Sequence, residues 1–193
     1  MLLPRPLALG FALVISAAFT APLARAGLLP LAVTVTPEQN HFRWTYSVTL
    51  PSGAALQAGN YFTIYDFNGL VPGATGAPAG WTLSTPMSGP ALSYINIPDD
   101  SSVANLVWTY TGPVIPAGRV QLGEFWATSL SGSSEEGVFV GHNTRAKDRK
   151  PDTNVTETRI PVPAPPGVPE PNTLVLAGIG LSAFGLFRRA RRT

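Results

Sequence analysis

Between positions 42 and 50 the chain alternates large apolar side chains with polar ones. Phe42, Trp44, Tyr46, Val48 and Leu50 fall on one parity, and Arg43, Thr45, Ser47 and Thr49 on the other. Successive side chains of an extended strand point to opposite faces, so a period of two gives one apolar and one wet face; a helix of about 3.6 residues per turn would scatter both sets. Leu31, Val33 and Val35 repeat the pattern before Pro37, and Ala104, Leu106, Trp108 and Tyr110 repeat it before Gly112-Pro113. Weaker strand candidates fall at 61–67, 81–85, 92–97, 120–128 and 138–140. Glycine and proline clusters, such as the run from Pro72-Gly73 to Ala79-Gly80, punctuate the gaps, and nothing in the body reads as a capped amphipathic helix. The pattern predicts an all-β domain, a single antiparallel β-sandwich of Ig-like or jelly-roll-like kind. Gly123 interrupts the 120–128 candidate, where Glu124 would otherwise share a face with Val120, Leu122 and Trp126; a β-bulge there resolves the conflict.

The chain contains no cysteine, which excludes a disulfide framework, a thiolate metal site and a cysteine nucleophile. The basic isoelectric point near 9.2 does not describe the body. Arg5, Arg25, Arg188, Arg189, Arg191 and Arg192 all lie at the two ends, and the segment between them is mildly acidic. Nucleic-acid binding needs a basic face to displace counterions from phosphates, so no nucleic-acid partner is expected.

The two ends read as addresses. Residues 1–26 combine Arg5, an apolar stretch at 7–20, and small side chains at Ala24 and Ala26 ahead of Gly27. That is the pattern of a secretory signal peptide cut by signal peptidase between Ala26 and Gly27. At the other end Pro169-Glu170-Pro171 precedes an apolar run and then Arg188, Arg189, Arg191 and Arg192. The prolines fix their own backbone angles and bias the residues before them towards extended geometry, so a helix that follows cannot propagate back through Glu170. Such a helix, at about 172–187, spans roughly 24 Å at about 1.5 Å per residue; this is marginal for a hydrocarbon core of about 30 Å unless the arginines snorkel. The positive-inside rule keeps the arginine cluster cytoplasmic and the Pro-Glu-Pro on the outer side of the inner membrane.

This C-terminal stretch, from Val168 to Arg192, resembles the PEP-CTERM sorting signal of exported bacterial proteins. The resemblance implies recognition at Pro169, Glu170 and Pro171 by an exosortase, a membrane enzyme that cleaves at or near the motif. It also implies transient inner-membrane anchoring, a final place in the envelope or outside, and a Gram-negative host whose extracellular polysaccharide is a further expected partner.

The expected organisation is a signal peptide at 1–26, a β-sandwich at 27–141, a polar and then Pro-rich linker at 142–167, and the sorting signal at 168–193. Residues 153–160 are open between a last edge strand and the start of the stalk. No hydrolase constellation is recognisable: there is no Gly-x-Ser-x-Gly elbow, and His41 and His142 are the only imidazoles. Asp99-Asp100 and Glu135-Glu136 are adjacent pairs, which alternate faces in a strand or are solvated in a loop, and oxygen groups at Asp99 to Ser102 lack EF-hand spacing. No catalytic residue, metal or cofactor is expected. Trp44 and Trp108 sit on apolar faces and read as core, whereas Trp81, Tyr61 and Tyr65 are the candidate sugar platforms. The expected function is therefore a non-enzymatic surface or matrix protein; a carbohydrate-binding module is second and an exported hydrolase third.

Overall fold

The computed structural model describes residues 27–92 and 94–163. The signal segment, the Pro-Glu-Pro motif, the helix expected at 172–187 and the arginine tail lie outside them. Ten strands form two antiparallel sheets packed face to face. β1 (Leu29–Glu38), β2 (His41–Leu50), β8 (Val120–Ser129) and β5 (Leu70–Gly76) make a four-stranded sheet in the order β1-β2-β8-β5. The larger sheet runs β10 (Pro151–Pro161), β9 (Ser134–Arg145), β4 (Tyr61–Ile64), β7 (Leu106–Tyr110), β6 (Trp81–Ser84), with the short β3 (Ala54–Ala55) paired to β9.

The alternation places the core as expected. Trp44, Tyr46, Val48 and Leu50 of β2 face Phe62, Ile64, Leu106, Trp108 and Phe139 of the other sheet, and all are fully buried. Phe62 is the hub: its ring lies 5.2 Å from Trp108, 5.3 Å from Phe139 and 4.8 Å, edge-on, from Phe125. Offset and edge-to-face aromatic pairs of this kind supply stability beyond their buried area, which a domain without disulfides needs.

The bulge forms where Gly123 breaks the pattern. Val48 pairs with Gly123 and Thr49 with Gln121, so Leu122 is the extra residue, and Gly123 takes φ +104°. The slip turns Phe125 and Ala127 inward and sends Glu124 and Trp126 to the outer face. Other expectations need correction. Among the described residues of 92–97 there is no strand, only an isolated Leu92–Ile95 bridge. The Pro72-Gly73 segment, read as a turn, is part of β5, an edge strand whose irregular register between Leu70 and Thr75 tolerates a proline. Leu31 is exposed because β1 has a register shift between Pro30 and Ala32.

The linker expected at 142–167 begins too early. Residues 142–145 complete β9, the mixed-sign loop is a hairpin turn clamped by the Arg145–Asp148 ion pair, and residues 153–160 belong to β10. β10 pairs with β9 from Pro151 to Pro161. Its outward side chains, Val155 apart, are polar, as suits an edge strand, which is why its sequence reads as stalk.

Candidate functional site

The outer face of the larger sheet carries one continuous row of side chains. Thr153 lies opposite His142, His142 opposite Tyr61, Tyr61 opposite Thr109, and Thr109 opposite Thr82, so five strands contribute to a single line. The His142 ring stacks on Tyr61 with centroids 4.9 Å apart, and its Nδ1 is 2.8 Å from the Thr153 hydroxyl. Burial depresses the imidazole pKa, with the nearby Asp152 carboxylate opposing. The Tyr61 phenol is pushed up, first by burial and then by Tyr94. Tyr94 itself is 61% exposed, on the loop that follows β6.

That loop packs beside the adjoining row, in which Thr63 and Val140 are fully buried although they have the outward parity of β4 and β9. It is pinned by Tyr65, whose hydroxyl donates to the Pro90 carbonyl at 2.7 Å, and by Gly89, where a side chain would strike the Tyr65 ring. The Asp99 carboxylate accepts from Gly89 N–H and from the Asn105 amide, both at 2.9 Å. Asp66 accepts from Asp100 N–H at 2.9 Å. The acidic residues of this loop thus hold its backbone. Burial raises the Asp66 pKa first; the Asp100 N–H lowers it, and the charges of Asp99, Asp100 and Glu135 raise it again.

Of the three expected sugar platforms, only Tyr61 keeps a place at the surface in this row. Tyr65 is 2% exposed and has no face to offer. Trp81 packs its ring into the core at 5.5 Å from Phe62, 5.0 Å from Phe125 and 5.1 Å from Tyr110. Its position after a glycine-rich loop suggested exposure, but its parity on β6 is the inner one, opposite Tyr110. Sequence reading missed Trp126, which lies on the outer face of the smaller sheet with the Arg43 guanidinium 4.1 Å above its ring. Gly123 was the available signal, since a bulge there inverts every later side chain. Arg43 is in turn paired with Glu38 at 2.7 Å, beside an open groove that His41, Gln39 and Thr128 also line. Among the described residues no group of three or more His, Asp or Glu side chains gathers in a way that holds a metal ion.

Residues 167–192 match the family described as the PEP-CTERM protein-sorting motif. The chain carries a PEP-CTERM sorting signal. No curated protein matches the chain. The PEP-CTERM match includes Pro169, Glu170, Pro171 and the four terminal arginines, and marks the chain as an exosortase substrate, exported and processed at the membrane. β10 ends at Pro161, and Val162 N–H still bonds the Ser133 carbonyl, so pairing with the sheet reaches to within a few residues of where the PEP-CTERM match begins.

Proposed function

We propose that this is a non-enzymatic surface or matrix protein. In this reading a signal peptide ending at Ala26 exports the domain, the 172–187 helix holds it in the inner membrane with the arginines inside, and exosortase cuts at Pro169-Glu170-Pro171. The PEP-CTERM match carries this reading. The test is Glu170→Ala in the full chain expressed in an exosortase-bearing host, followed by fractionation and intact mass. Wild-type protein should leave the inner membrane in a shortened form while the variant stays there unshortened. Equal release of both would overturn the sorting assignment.

A second reading, carbohydrate binding, is favoured by the Tyr61–His142 stack flanked by Thr153, Thr109 and exposed Tyr94. Stacked rings and a line of hydroxyls suit the apolar faces and polar edges of sugars. Retention of the exported protein on its host's polysaccharide should fall at least about tenfold for Tyr61→Ala, the loss of roughly one stacking contact. Unchanged retention would remove this reading and leave the sorting assignment intact.

A further inference from the structure

The outermost strands of a β-sandwich turn alternate N–H and C=O groups away from the sheet, and proteins guard such edges with charge, proline, irregularity or shortness. Three of the four edges here are guarded. β10 presents Glu157 and Arg159, both exposed. β5 carries Pro72 and an irregular register between Leu70 and Thr75, and β6 is only four residues long. β1 is the exception. Among the described residues it pairs with β2 alone, and from Leu29 to Pro37 it holds no charged side chain. Leu31, Ala32, Thr34, Val35 and Thr36 are exposed along it, while Val33 packs against the core.

This stretch is symmetric about Thr34. Residues directly opposite one another in an antiparallel pair share a face of the sheet. When β1 meets a second β1 about a two-fold axis through Thr34, Thr34 lies opposite its own copy, Ala32 of each chain opposite Thr36 of the other, and Val33 opposite Val35. The valines then share the core side, the side of Trp44 and Tyr46 on β2, and the threonines and alanines share the outer side. No two charges are brought together. Pro30 and Pro37 bound the pairing, since neither has an N–H to give. Within each chain the register of β1, β2 and β8 sets Thr34, Thr45 and Trp126 in one outer row. Through the axis that row runs on into its own reverse, and two four-stranded sheets become one.

We propose that β1 is a self-pairing edge through which the domain forms a two-fold dimer. The partner is a second copy because an isologous contact needs a strand complementary to itself, which Leu31 to Thr36 supplies and a strand made for an unrelated partner does not require. Main-chain hydrogen bonds hold the two strands together, and their β-branched side chains suit a pleated surface. Pairing also hides an edge that otherwise recruits any extended chain. The contact is independent of the sorting assignment.

The test uses the full chain purified from its host, as released product or extracted in a non-ionic detergent, with mass followed by sedimentation across the micromolar range. Wild type should be a dimer in equilibrium with monomer. Thr34→Lys sets two ammonium groups opposite each other and should weaken the dimer at least about tenfold, as should Thr34→Glu; an equimolar mixture of the two, in which unlike charges meet, should restore it. Ser84→Lys, on the β6 edge of the other sheet, should leave the dimer unchanged. Thr34→Cys gives a second readout: the chain has no cysteine of its own, so mild oxidation should link dimers through position 34 alone. A monomeric wild type, a dimer indifferent to both charged variants, or a mixture no better than its components would overturn the proposal. Where the charged variants fail to fold, absence of the Thr34→Cys cross-link overturns it.

Discussion

Trp44 donates its indole N–H to the carbonyl of Ser131 at 2.9 Å, joining residues 87 positions apart inside the sandwich. The bond ties β2 to the β8–β9 connection, where the chain crosses from one sheet to the other. Trp44→Phe keeps most of the ring but leaves the Ser131 carbonyl without its donor, and should cost about 1–3 kcal/mol. Trp44→Ala opens a large cavity as well and should cost about 3–5 kcal/mol. Urea unfolding followed by fluorescence of the other tryptophans measures both, and equal stability of Trp44→Phe and wild type would show that the bond contributes nothing net.

Gly123→Ala should destabilise the domain by about 1–3 kcal/mol. Its φ of +104° disfavours any L side chain, and the new Cβ would lie 2.8 Å from Pro78 Cγ. By contrast Gly59→Ala, also at positive φ but facing open space, carries only the backbone term. The difference between the two in thermal midpoint isolates the Pro78 contact.

Asp66→Asn should stabilise. Asp66 has φ +55°, which asparagine tolerates, and the amide oxygen can still accept from Asp100 N–H. Because burial and the charges of Asp99, Asp100 and Glu135 raise its pKa, the folded protein binds its proton more tightly than the unfolded chain does. The sign follows from linkage: Asp66 favours folding at low pH and loses that contribution as pH rises through its folded value. The thermal midpoint of Asp66→Asn should therefore exceed wild type at neutral pH and converge with it in acid.

Stability should fall at both pH extremes through identified groups. Burial pushes the Tyr46 phenol far up and the Tyr65 phenol up to about 12, while each donates a hydrogen bond, to the Arg159 and Pro90 carbonyls respectively. The folded state thus holds protons that the unfolded chain releases near pH 10, and stability declines as pH rises from about 10 through 12. His142 has the opposite sign: its depressed pKa makes the contribution full above about 6.5 and lost as pH falls through the folded value. Urea midpoints across pH should show both limbs, with Tyr65→Phe flattening the alkaline one and His142→Gln the acid one.

Period-two alternation needs no tertiary context, and for that reason β2, β7 and the Trp44 and Trp108 core positions were legible in sequence. The bulge at Gly123 was legible too, because a glycine beside a misplaced acid is a local conflict. What local pattern could not give was the partner. β5 and β10 are edge strands whose composition, rich in proline or in outward polar groups, matches loops until a neighbour pairs with them. Tyr65 has the parity of a surface residue and became buried only because the loop from β6 to β7 folds across it. The row from Thr153 to Thr82 is set by inter-strand register, which depends on contacts distant in sequence.

The sequence alone determined the address of this protein. The PEP-CTERM signal is matched as one contiguous stretch, so the order of its prolines, apolar residues and terminal arginines is a local property of the chain. Only the tertiary structure decided which residues face outward and that β1 stands at the edge of its sheet, because exposure and pairing belong to packed surfaces. Packing between distant segments carries no signature in either segment by itself.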